Sequence, residues 1–190
     1  MTEPFSNKYI QGFYIILKNM LKINLIALTI LSSGLIVKII ILEGINLKIE
    51  NFENITIAYM RRIGKYGYEN TLLMEKFKNY LKEHNLFNDN TVILGIALDD
   101  PKTTTPSNLR YDVGVIINEN DNIQLDTRKI DSGKYAVFEI PHTAEAVSDF
   151  WQNIGNLLSS LPADFKKPVI ERYSAQKISQ HLCEFCIPLK

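Results

Sequence analysis

Cysteine, histidine, tryptophan and net charge are all scarce in this chain of 190 residues. It has two Cys, three His and one Trp, and 21 Lys and Arg against 21 Asp and Glu. With no basic excess and no basic stripe, direct nucleic-acid binding is not expected. The two cysteines, Cys183 and Cys186, form a C-x-x-C. That spacing invites zinc or redox chemistry, but no second C-x-x-C or paired His completes a zinc set. They lie in an apolar segment of strand composition, where positions three apart face opposite sides. The thiols should therefore not meet, and no metal or cofactor is expected. Two unpaired thiols fit a reducing compartment, so the expected location is the cytoplasm. His84, His142 and His181 fall at element ends and read as surface residues. What is abundant is apolar: 46% hydrophobic against 22% charged residues, enough for one domain with a real core.

Residues 1–45 differ from the rest. Residues 23–42 are apolar almost throughout, the length of one membrane span. Lys18 and Lys22 precede them, favouring a cytoplasmic N-terminus. Lys38 opposes a span but lies near one end, where its ammonium can snorkel. A cleaved signal fits poorly, since no A-x-A site follows. The segment reads as a membrane anchor or as a non-native extension. An anchor would place residues 46–190 outside the cytoplasm, against the thiol argument, and the cytoplasmic reading is preferred.

From residue 46 the pattern is α+β. Residues 45–50 and 55–63 read as a strand pair or one bent strand. Residues 69–84 carry helical spacing, with Leu72, Leu73, Phe77, Tyr80 and Leu81 on one face. Strands follow at 91–98 and 109–118. The order then returns: strands at 123–130 and 134–140, a helix from Ala144 to about Leu161 capped by Thr143, and strands at 168–173 and 182–189. Strand–helix–strand–strand thus occurs twice. The expected architecture is a tandem βαββ repeat, one antiparallel sheet with two helices on one face and a ligand cleft on the other or at the seam.

The segment Pro168-Val169-Ile170-Glu171-Arg172-Tyr173 carries the functional hint. Strand alternation puts Val169, Glu171 and Tyr173 on one face. An acid between an aliphatic and an aromatic residue is either half-exposed to water or buried. A buried acid needs a partner or stays protonated, and rimmed with aromatics it can hold a cationic guest.

Residues 47–189 resemble the GyrI-like small-molecule-binding domains, which also form the effector-binding half of some AraC-type and multidrug-sensing transcription activators. The matching landmarks are residues 59–66, 95–101, 109–113, 132–138, Trp151, 168–173 and 184–189. The resemblance is carried by their order and spacing together. It does not reach residues 1–45, where the transcription factors would carry a helix-turn-helix, and DNA binding is not transferred. The turn reads Gly64-Lys65-Tyr66 where the family often has Gly-Pro-Tyr. The resemblance implies an aromatic cleft that takes apolar cations, with Glu171 at the family's acidic position in the penultimate strand.

The candidate ligand-binding residues are therefore Glu171, Tyr173, Tyr66, Trp151, Tyr59 and Glu184. Tyr111 alternates with Val113 and Val115 and reads as core. Arg110 and Asp112 share a face and read as an ion pair, or as a pair that orients Glu171. The expected function is binding of an apolar, cationic small molecule for sensing or sequestration. One alternative is hydrolysis of strained electrophilic natural products, with Glu171 working on water. Another is a gyrase-inhibitor-type interaction module with DNA gyrase or a regulator as partner.

Overall fold

The computed structural model describes residues 46–118, 121 and 123–190. The apolar segment 23–42, with its expected membrane association, lies outside them. No helix among the described residues is long and apolar enough to cross a membrane.

Eight strands form one antiparallel sheet: β1 (Asn46–Phe52), β2 (Thr56–Ile63), β3 (Val92–Ala97), β4 (Arg110–Ile117), β5 (Asp126–Lys129), β6 (Gly133–Pro141), β7 (Val169–Ser174) and β8 (Leu182–Pro188). Three helices accompany them: α1 (Tyr68–Glu83), α2 (Ala144–Leu157) and the short α3 (Ala175–Ser179). The sheet order is β1-β6-β8-β7-β3-β4-β2-β5. Read from the centre outwards, β3-β4-β2 and β7-β8-β6 are equivalent triplets, so the two βαββ halves meet at the β3–β7 seam. The α+β class and the antiparallel sheet are as the sequence indicates.

Pairing of the first strand differs from expectation. β1 does not pair with β2; it pairs with β6 over its whole length, while β2 pairs with β4 and β5. Each half thus sends its leading strand to the outer edge of the other. Only residues 53–55 join β1 to β2, and only residues 130–132 join β5 to β6. In a flat sheet each link would cross six strand spacings, about 29 Å. Three linking residues reach only about 14 Å. The sheet must therefore curl until its ends approach one another.

That curl fills the face away from the helices. Phe52, Ile57, Leu94, Ile96, Ile130, Tyr135, Val137, Ile170 and Cys186 form one buried cluster there. Phe52 stacks on Tyr135 with centroids 4.2 Å apart. The expected ligand cleft on this face is corrected: the face is packed with side chains.

On the other face α1 seats Phe77 and Leu81, both fully buried, against Ala58, Ile93, Tyr111, Val113 and Val115. Each buried side chain contributes roughly 1.5–3 kcal/mol. Asn85 ends α1 in the left-handed region, φ 56°, while the Leu86 N–H returns to the Leu81 carbonyl. α2 begins where the sequence indicates: Thr143 Oγ1 accepts from the Ala146 N–H at 3.1 Å. Its Phe150 stacks on Phe185 at 4.5 Å and meets Phe138 edge-on. α2 stops at Leu157, short of the expected Leu161. Cys183 and Cys186 are free, buried and in different core clusters, as strand alternation requires. Burial pushes both thiols up to about 12.

Candidate functional site

Between α1 and the start of α2 the helix-covered face is left partly open. A cavity of about 730 Å³ lies there, within the size range of ligand sites. Its walls are α1, through Asn70, Met74 and Lys78 at helical spacing, and His142 and Val147 at the entry to α2. Its floor is Ile93, Tyr111, Glu171 and Tyr173, from three adjacent strands. The cavity is thus on the same side as the helices, and both halves build it.

Glu171 is the centre of the floor. It pairs with Gly95 across the seam. Tyr111 donates to its Oε2 at 3.0 Å and Tyr173 donates to the same oxygen at 2.7 Å. No cationic side chain among the described residues lies within ion-pair distance of it. Burial raises its carboxyl above the ordinary value of 4.5, and the hydroxyls of Tyr173 and Tyr111 oppose that rise. Burial likewise raises both tyrosines, with the Glu171 charge adding to it, so they remain donors.

Gly95 makes this triad fit. A Cβ there would stand 2.3 Å from Tyr111 Oη and 3.1 Å from Glu171 Oε2. Any side chain would collide with the hydroxyl that serves the acid.

The other candidate residues are distributed differently. Tyr66 stands behind Tyr111, ring centroids 6.0 Å apart and edge-on. Its hydroxyl accepts from the Asp99 N–H at 3.1 Å and lies 2.9 Å from the Arg110 carbonyl, so it fastens the loop that precedes β4. Trp151 is 40% exposed and lies edge-on to Phe150 and Phe185, away from the cavity lining. Tyr59 and Glu184 fall on the opposite face of the sheet, which corrects their expected place in the cleft. Tyr59 lies under the guanidinium groups of Arg61 and Arg128, at 5.2 and 5.7 Å. Glu184, 3% exposed, accepts from Arg172 Nε at 2.7 Å. Strand parity explains both: Tyr59 pairs with Gly114, and Glu184 with Arg172, each pointing away from the helices.

The expected Arg110–Asp112 pair does not form. Arg110 clasps Asp99 through Nη2 at 2.6 Å and Nε at 3.0 Å. Asp112, wholly buried, is held by Arg61 at 2.6 and 2.9 Å and by Arg128 at 2.9 Å. Neither Arg110 nor Asp112 orients Glu171.

Tyr111, Gly95 and His142 were not among the candidates. The His142 ring lies 5.4 Å from that of Tyr173, and its amide donates to the His181 carbonyl at 2.8 Å. Burial, with Lys78 nearby, lowers its pKa. No group of His, Cys, Asp and Glu among the described residues is arranged to hold a metal ion.

Comparison with known proteins places the fold in a family. The family model of the GyrI-like small molecule binding domain matches residues 46–190. The SPbeta prophage-derived putative transcriptional regulator YosT of Bacillus subtilis (strain 168) is 44% identical over 146 residues, 75% of this chain and 97% of that protein. The structure of SAV2435 bound to tetraphenylphosphonium superposes with a TM-score of 0.53 at 17% identity, over 76% of this chain and 94% of that one. The C-terminal domain of EcmrR does so with a TM-score of 0.54 at 9% identity, over 77% and 98%. At such identities these two structures speak for the fold alone. Taken with the family match and the close relative, they lead to one conclusion: over residues 46–190 this chain belongs to the GyrI-like small molecule binding domains.

Proposed function

We propose that the cavity takes an apolar organic cation and that Glu171 is its counter-charge, so that the chain works by sensing or sequestering drug-like compounds. One observation carries this reading: a carboxylate on the floor of a partly open cavity, flanked there by two tyrosines that donate to it, has no cationic partner among the described residues. Burial makes ionising it costly, and a cation arriving beside it offsets that cost. At an effective dielectric near 20, unit charges 4 Å apart attract by about 4 kcal/mol. A tenfold preference for cation over neutral is about 1.4 kcal/mol, a fraction of that attraction.

Two lysines line the cavity and oppose a cation. Lys78 is paired with Glu75 at 3.2 Å, and Lys82 is exposed with its ammonium 5.7 Å from the Phe87 ring. Solvent screens an exposed charge, whereas the buried carboxylate acts at low dielectric.

The test is calorimetric titration with tetraphenylphosphonium and with neutral triphenylphosphine oxide. The cation should bind at least tenfold more tightly, and Glu171→Gln should remove the difference. Equal binding of both by the unaltered chain would refute the reading. Turnover of a strained electrophilic substrate that vanishes in Glu171→Gln would mark the hydrolase alternative.

A further inference from the structure

Both tyrosines use one oxygen of Glu171. Tyr111 and Tyr173 donate to Oε2, and no described residue donates to Oε1. Nor is Oε1 sealed away. Among the described residues the solvent-excluded polar side-chain atoms without a hydrogen-bond partner are Arg128 Nη2 and Glu184 Oε1, the latter 3.1 Å from Lys48 Nζ, and Glu171 Oε1 is not one of them. Glu171 lines the cavity, so its second oxygen, which no described side chain serves, is open to a guest that enters it. The acid is also fixed in place. Two hydroxyls hold Oε2, and the bare Gly95 beneath it admits Tyr111. Oε1 cannot rotate into the protein without breaking both bonds.

A fixed acceptor that a bound guest would cover favours a guest that donates a hydrogen bond to it. Charge-assisted N–H···O bonds are about twice as strong as neutral ones and are directional. A quaternary onium ion brings charge but no hydrogen, and its substituents hold the charge away from the oxygen. Desolvating Oε1 without giving it a donor leaves a buried polar atom unmet, which is itself unfavourable.

We infer that the site is built for protonated amines, with an N–H⁺ directed at Glu171 Oε1, in preference to quaternary cations of the same size. This rests on the cation-binding reading above and narrows it. It also sets this chain apart from what the tetraphenylphosphonium complex of SAV2435 would suggest, since that guest has no proton to offer.

The test uses a matched pair on the full chain: 4-phenylbenzyl-dimethylamine, protonated near neutral pH, and 4-phenylbenzyl-trimethylammonium. They differ by one methyl group in place of the proton. In the unaltered protein at pH 7 the amine should bind at least tenfold more tightly. In Glu171→Gln both should weaken and come within about twofold of each other. If the trimethylammonium binds as tightly as the amine, or more so, the inference fails. Should both still weaken in Glu171→Gln, the cation reading survives that failure; should neither respond, both fall. A variant that does not fold leaves the ratio in the unaltered protein to decide, since that comparison needs no substitution.

Discussion

Gly95 and Glu171 face each other across the seam, and the absence of a side chain at the first sets the chemistry of the second. Gly95→Ala should force Tyr111 off Oε2, destabilise the fold by about 1–3 kcal/mol in urea denaturation, and weaken cation binding. Tyr173→Phe acts in a different direction. It removes a donor that favours ionised Glu171, so the carboxyl should rise further. In the native chain Glu171 already binds its proton more tightly than in the unfolded chain. Its contribution to stability therefore falls as pH rises from about 4.5 through the raised folded value. A cation binds the ionised form, so affinity should climb with pH over that window. The climb should move to higher pH in Tyr173→Phe, and calorimetry in buffers of different ionisation enthalpy reads the released proton. Alternation along residues 169–173 was enough to put Glu171 and Tyr173 on one face. It could not show Tyr111 as their partner. That hydroxyl comes from 60 residues away, on a strand whose valines mark the face as core.

Among the elements, β1 is held at its edge by charge as well as by its pairing with β6 and the buried Phe52. Arg172 joins Glu50 at 2.7 and 3.0 Å and Glu184 at 2.7 Å, over the Phe52 ring. The hydrogen bond from Arg172, against the opposing effect of burial, brings the Glu50 carboxyl down to about 2. A carboxyl lowered by folding stabilises above its unfolded value, and the contribution disappears as pH falls from about 4.5 towards 2. Urea melts at pH 6 and pH 3 should show a loss on the order of 1–3 kcal/mol that Glu50→Gln largely abolishes. Asp112 offers a second test. Asp112→Ala would leave the partly exposed Arg61 and Arg128 without their shared carboxylate, at a cost of about 1–3 kcal/mol measured the same way. The two long helices, α1 and α2, were legible from their apolar periods, and the α2 start from Thr143. α3 was not, because five residues capped by Ser174 carry no apolar stripe to recognise. The partner of β1 was not either, since β6 lies some 80 residues further along the chain.

Across the whole domain the cavity draws α1, β3 and β4 from one half and α2, α3 and β7 from the other. A guest at 100 times its dissociation constant should add about 2.7 kcal/mol. For a domain of this size that raises the melting temperature by about 5–10 °C in a thermal scan. The repeat of element order showed the two halves in the sequence. The curl of the sheet did not show, because it follows from two short links whose ends are distant in strand order. The exchange of leading strands has a practical outcome. If the chain is divided between Ile117 and Asp126, each piece keeps a strand whose hydrogen-bonding neighbour is in the other piece. The two pieces should stay largely unstructured apart and reassemble when mixed, faster and more completely with a guest present. The domain thereby offers itself as a split reporter that reads out the compound it holds.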